Sequence, residues 1–179
     1  MRPEPPVLIL PGYGGSGPLH WQSEWERLQT RRFRRVEQRD WDRPELDEWC
    51  VGLENAVSAA GPQVVLAAHS VACLLVAHWA ARTRASITAA LLVAPPDPAR
   101  AGFPPTLNSF GPAPQARLPF RCLVVGSTDD PYAAPEFAAH CAAAWGGEFV
   151  SVGAAGHINA ASCLGAWPVG LALLRRVSA

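Results

Sequence analysis

Val64-Val65-Leu66-Ala67-Ala68-His69-Ser70-Val71-Ala72-Cys73-Leu74-Leu75-Val76-Ala77 is the stretch that decides the fold. Its first five residues are a fully apolar run of strand length, as in a strand covered on both faces. From Val71 to Ala81 the chain is apolar nearly all round, which predicts a central buried helix. Strand and helix meet at His69-Ser70 with no residues to spare. The same alternation runs outward in both directions. Apolar strands are predicted at Val7–Leu10, Ala89–Ala94, Cys122–Gly126 and Phe149–Val152, with a further one around Arg34–Gln38. A helix begins near Pro18, which suits a first turn, and Trp21, Trp25 and Leu28 form its apolar face. Asp42 can cap the next helix, with Pro44 and Glu45 in its first turn. Leu46, Trp49, Cys50, Leu53 and Val57 make that helix's buried stripe, and Gly61-Pro62 closes it. Phe137, Cys141 and Trp145 mark another helix. Ala166–Arg176 is the last, with Arg175 and Arg176 placed at its carboxyl end. Strands each followed by a helix imply an α/β fold with a parallel sheet of about six strands. Neither repeat nor linker divides residues 1–179, so a single domain is expected. The stretch Pro95–Pro119 is the one long irregular region, and so long a loop is expected to shape a binding site.

Composition narrows the function. Of 179 residues, 49% are apolar and 17% charged, enough for a sizeable core and unlike a disordered chain. The 15 basic and 15 acidic residues cancel, so the phosphate-neutralising excess of a nucleic-acid binder is missing. Arg31-Arg32-Phe33-Arg34-Arg35 is the only basic cluster and reads as a solvated helix end. Every basic residue is Arg, which points to a GC-rich bacterial genome. No apolar run approaches the roughly 20 residues of a membrane span, and Met1-Arg2-Pro3-Glu4-Pro5-Pro6 is unlike a signal peptide. The five scattered cysteines, Cys50, Cys73, Cys122, Cys141 and Cys163, lack metal or disulfide spacing and read as small apolar fillers. A cytoplasmic protein without metal or organic cofactor is expected.

The chemistry-bearing residues fall at strand ends. Ala68-His69-Ser70-Val71-Ala72 has the strand-to-helix context of a nucleophile elbow, in which a strained serine projects its hydroxyl at the carboxyl end of the sheet. Cys122-Leu123-Val124-Val125-Gly126 runs into Ser127-Thr128-Asp129-Asp130-Pro131. Asp130, next to the proline, suits a carboxylate that orients a histidine, and Asp129 is the runner-up. The last strand leads to Gly153-Ala154-Ala155-Gly156-His157. The chain order Ser70, Asp130, His157, each beyond a different strand, is that of an α/β-hydrolase triad. Pro11-Gly12-Tyr13-Gly14-Gly15 follows the first strand and lacks the Lys-Ser/Thr of a phosphate-binding loop. It reads instead as one wall of an oxyanion hole, with the backbone N–H groups of Tyr13 and Val71 as donors. If the first strand lies between the second and third, these loops flank the sheet's switch point, where ligands bind. Gly12, His20 and Trp41 are candidate substrate contacts. His20 either lines the pocket or caps a helix, and Trp41 is either an aromatic wall or part of the core. The side chain of His69 should point away from that of Ser70 and pack or hydrogen-bond beneath the elbow. His78 and His140 read as structural.

These motifs resemble the small serine hydrolases related to retinoblastoma-binding protein 9 and the bacterial YdeN-like proteins. The resemblance covers nearly the whole chain. It is carried by Leu10-Pro11-Gly12-Tyr13-Gly14-Gly15-Ser16-Gly17-Pro18-Leu19-His20-Trp21-Gln22, by Asp40-Trp41-Asp42-Arg43-Pro44 and by Ser127-Thr128-Asp129-Asp130-Pro131. Gly156-His157-Ile158-Asn159-Ala160 and Gly165-Ala166-Trp167-Pro168 complete it. It implies a three-layer α/β/α-hydrolase fold, strand order 2-1-3-4-5-6, no large cap, and Ser70, Asp130 and His157 as the triad. Two departures stand out: Ala72 and Cys163 occupy positions where relatives carry glycine. The expected activity is hydrolysis of an ester, amide or thioester of a small uncharged acyl substrate. A perhydrolase or acyltransferase would use the same triad. The competing expectation is a non-catalytic protein-interaction module on the same scaffold.

Overall fold

The computed structural model describes residues 4–179. Met1-Arg2-Pro3, the start of the segment judged unlike a signal peptide, lies outside them. Six strands form one all-parallel sheet: β1 (Val7–Leu10), β2 (Phe33–Arg35), β3 (Val65–His69), β4 (Ala89–Val93), β5 (Arg121–Gly126) and β6 (Glu148–Ser151). Their order is β2-β1-β3-β4-β5-β6, with Leu10 opposite Ala68 and His69 opposite Val93. Four of the five crossovers run through helices α1 (Trp21–Leu28), α2 (Leu46–Ala60), α3 (Val71–Ala80) and α4 (Pro135–Trp145), the one from β4 to β5 has no α-helix, and α5 (Pro168–Ser178) follows β6.

Successive strand residues point to opposite faces, which splits the core in two. Leu8, Leu66, Leu92 and Val124 pack with α2, α3 and α4 on one side. Val7, Val65, Leu91 and Val125 pack with α1 and α5 on the other. The layering is therefore α/β/α. At about 1.5–3 kcal/mol for each large apolar side chain removed from water, the central strands and α3 are the main anchor. Of α3, only His78 and Ala80 escape full burial.

Several local expectations need correction. α1 begins at Trp21, not Pro18, because His20 is its N-cap and its Nδ1 accepts from the Gln22 amide. Leu28, expected on the buried face, is 53% exposed, and Gln22 is buried instead. β2 covers Phe33–Arg35 rather than Arg34–Gln38. α2 starts at Leu46, beyond Pro44 and Glu45, and Asp42 does not cap it. The Asp40 carboxylate accepts from the amides of Asp42 and Arg43, so this segment is a side-chain-closed turn rather than a helix start. α5 starts at Pro168, whose missing N–H costs nothing there. The stretch Pro95–Pro119 is not wholly irregular. It contains a 3-10 helix, Pro105–Phe110, that buries Leu107 and Phe110. The arginine cluster is not simply solvated. Arg35 makes a two-point ion pair with Glu26 and Arg32 pairs with Glu4. No helix among the described residues is long and apolar enough to cross a membrane, and no separate cap domain stands over the strand ends.

Candidate active site

The site sits at the carboxyl ends of β1, β3, β5 and β6. Ser70 joins β3 to α3 with φ 58° and ψ −131°, a conformation that costs a non-glycine residue about 1–3 kcal/mol. The turn is pinned from both sides: the Ser70 amide donates to the Val93 carbonyl, and the Ser70 carbonyl accepts from the Cys73 amide. Ala68 and Ala72 are wholly buried, so their methyl groups are accommodated where helix and strand close on each other. Gly12 is required by contact. A Cβ there would stand 2.9 Å from the Ser70 Cβ and 3.0 Å from the His69 carbonyl oxygen.

Ser70, His157 and Asp130 form one hydrogen-bonded line. His157 Nε2 is 2.9 Å from Ser70 Oγ, and its Nδ1 is 2.9 Å and 3.0 Å from the two carboxylate oxygens of Asp130. A carboxylate only accepts, so Nδ1 carries the proton and Nε2 is left to accept from the serine hydroxyl. Asp130 is held in turn by the Tyr132 amide. The two candidate carboxylates thus separate. Asp129 faces away from the imidazole and accepts from the Ser127 hydroxyl and the Gly156 amide. Those same bonds, the hydroxyl's first, hold its carboxyl below the usual carboxylate range.

Two further imidazoles lie beside His157. His69 donates Nε2–H to the His157 carbonyl oxygen at 2.9 Å and packs edge-on against the His157 ring, 4.9 Å between centroids. His20 stacks edge-on against His69 at 4.6 Å. Burial drives His69 well below its ordinary value and His20 down to about 4, so both are neutral at pH 7. Tyr132 closes the remaining side, its ring 4.5 Å from that of His157.

A cavity of about 630 Å³ opens over these groups, and Gly12, His20, Ser70 and His157 are among its lining. Tyr13, Phe103, Leu107 and Tyr132 supply aromatic and aliphatic walls. Neither the Tyr13 amide nor the Val71 amide finds a backbone acceptor among the described residues. The latter is a first-turn donor without an intrahelical partner. Trp41, the third candidate contact, is not among the lining residues. It stacks edge-on against Trp49 and lies behind the glycine turn, where the Gly14 amide donates to its carbonyl.

The other candidates fall outside the line. His78 bonds the Phe110 carbonyl and His140 the Gln115 amide oxygen. Burial pushes the thiols of Cys50 and Cys122 up to about 11 and that of Cys141 to about 12, and Cys73 also rises. Cys163, also expected to be a filler, is exposed and adopts φ 51°. That left-handed backbone explains why glycine suits this position. No cluster of three or more His, Cys, Asp or Glu that could hold a metal occurs among the described residues.

Missed by sequence reasoning were Trp21 and Gln22. The Trp21 indole N–H donates to the Ile158 carbonyl. The Gln22 amide donates to the carbonyls of Leu10 and Ala67, while its oxygen accepts from Ser16. Nothing in the apolar period marks these polar tasks. The only signal was their place in the motif that opens the chain.

Sheet order, elbow and cavity together define an α/β-hydrolase. The chain belongs to the serine hydrolase family, which matches residues 7–176, and it is an esterase-like hydrolase. It is similar to a YdeN-like hydrolase of Pectobacterium atrosepticum, with 32% identity, TM-score 0.86, and 98% of this chain and 91% of that one covered. The ydeN gene product of B. subtilis shares the fold at 19% identity and TM-score 0.76, covering 97% of this chain and 98% of that one. So does the type II thioesterase BorB of the borrelidin biosynthetic cluster, at 18% identity and TM-score 0.68, with 100% and 94% covered. No curated protein sequence matches the chain.

Proposed function

We propose that the protein hydrolyses an ester, amide or thioester of a small, uncharged acyl substrate through an acyl-serine intermediate. The observation that carries this reading is the unbroken line from Ser70 Oγ through His157 to Asp130, at the base of a cavity. Ser70 attacks the carbonyl carbon while His157 Nε2 takes its proton. The carbonyl π-bond opens to a tetrahedral oxyanion, which the amides of Tyr13 and Val71 stabilise. Collapse expels the leaving group, protonated by the imidazolium, and water then repeats the sequence to release the acid. Asp130 fixes the imidazole tautomer and stabilises the imidazolium. These steps draw only on side chains and backbone amides of the chain. The apolar walls from Phe103 and Leu107 favour an uncharged acyl or aryl group.

A fluorophosphonate probe tests the assignment. Wild type labels at one site and hydrolyses short-chain aryl esters, while Ser70→Ala does neither. A folded wild type that neither labels nor hydrolyses such esters would leave the non-catalytic scaffold as the better account.

A further inference from the structure

The loop that carries His157 is held by two buried ring donors acting on consecutive peptide carbonyls. His69 Nε2–H reaches the carbonyl of His157 at 2.9 Å, and Trp21 Nε1–H reaches that of Ile158 at 2.9 Å. The donors come from different elements, the last residue of β3 and the first of α1. Both side chains are buried, Trp21 at 1% and His69 at 5% exposure. Between the two carbonyls lies Ile158, fully buried and with φ 50°. For a β-branched residue that is a genuine outlier, and such a conformation persists only where its surroundings over-determine it.

We propose that His69 and Trp21 are positioning residues, a two-point clamp on the His157–Ile158 backbone that sets His157 Nε2 against Ser70 Oγ. The inference rests on the triad reading and adds to it the means by which base and nucleophile keep their distance. His69 precedes the nucleophile in the chain, so one side chain ties the elbow directly to the peptide of the base. Its neutral imidazole keeps Nε2 protonated as a donor, since Nε2 faces a carbonyl that can only accept. The indole of Trp21 donates at every pH. The groups facing His157 are Asp130 from the loop after β5, Ser70 and His69 from the elbow, and the Tyr132 ring, with His20 behind His69. Asp130 aligns the ring and Asp129 holds the Gly156 amide just before it, but neither reaches the carbonyls of His157 and Ile158. The clamp holds those two carbonyls.

The test uses the full chain and a short-chain aryl ester, at temperatures well below each variant's measured Tm. His69→Phe keeps a ring of similar size but no donor, His69→Gln keeps an N–H of similar reach, and Trp21→Phe deletes the indole donor. His69→Phe and Trp21→Phe should each lower kcat about ten- to a hundredfold, the range of a displacement near 1 Å, while KM moves by less than about twofold. His69→Gln should recover most of the loss. In proton NMR, the downfield His157 Nδ1–H resonance should survive in His69→Gln and broaden in His69→Phe. The clamp is overturned if folded His69→Phe or Trp21→Phe keeps wild-type kcat, or if His69→Gln is as slow as His69→Phe. Should His69→Phe not fold, Trp21→Phe alone decides by the same criterion. Failure of the underlying triad reading is distinct, because there the wild type itself would escape the fluorophosphonate.

Discussion

Gly12, Ser70 and His157 lie in the connections that follow β1, β3 and β6, and each is fixed by contacts with other elements. Phe103 enters the same cavity from residues 97–107 of the segment Pro95–Pro119, a stretch whose backbone bonds are mostly local. Around the first group, the Val93 carbonyl, the His69 ring and the Trp21 indole all reach across from other elements. Along the second, the Arg100 amide bonds Asp97, that of Phe103 bonds Arg100 and that of Leu107 bonds Pro104, all local turns. Asp97 to Tyr132 is the backbone tie that reaches outward from residues 97–107, whereas farther along His78 bonds the Phe110 carbonyl and Trp145 bonds Pro114 and Leu118. Chemistry needs tolerances well under 1 Å, whereas accommodating an acyl group needs only shape and apolar surface. The base of the cavity is therefore over-determined, and its wall is free to vary.

That contrast can be broken at either end. The largest effect belongs to Gly12→Ala. Its Cβ would press on the Ser70 Cβ and the His69 carbonyl, neither of which can give way. kcat should fall about a hundredfold or more, and overpacking worth about 1–3 kcal/mol should lower Tm by several degrees. A variant with wild-type kcat would show that the base tolerates displacement after all. Phe103→Ala acts on the wall, and its effect should appear in KM. Loss of apolar contact worth about 1–3 kcal/mol should raise KM for longer acyl chains about tenfold, with kcat nearly unchanged. If instead kcat falls and KM holds, the wall takes part in the chemistry.

The third effect concerns stability rather than rate, and it depends on pH. His20 is buried neutral and titrates at about 4, against 6.5 for an ordinary imidazole. Because its folded value is depressed, the unfolded chain binds the extra proton between those limits. The stability it provides is thus complete above pH 6.5 and is lost as pH falls toward 4. The loss is about 3 kcal/mol at most, and it comes from the base of the cavity, not the wall. His20→Asn keeps a helix-capping side chain without the titration. Urea unfolding at pH 7 and at pH 4 should therefore lose less stability in the variant than in wild type, and equal losses would refute the assignment.

The same division governs what was legible in the sequence. Fully apolar runs such as Val64–Ala68 announced the central strands, because burial on both faces leaves no other composition. Chain order then placed Ser70, Asp130 and His157 together, since parallel crossovers return every strand's carboxyl end to one edge. Less legible were features set by side-chain bonds to backbone. Asp40, not Asp42, closes its turn, and His20 rather than Pro18 starts α1. Trp21 looked like part of an apolar face and Gln22 stood only in the opening motif, yet they satisfy carbonyls of three other segments. Trp41 was equally ambiguous by sequence, for a tryptophan at a strand end can face either a pocket or the core. Leu107 and Phe110 were hidden because a 3-10 turn is too short to show a period.

Trapping of the covalent intermediate tests the central claim most directly. The protein is mixed with a short-chain aryl ester, quenched in acid within the burst phase, digested and mapped by mass spectrometry. The acyl mass should appear on the peptide containing Ser70, on that serine, and be absent from Ser70→Ala. An adduct on Cys163 alone, or hydrolysis that persists in Ser70→Ala at the wild-type rate, would contradict the account.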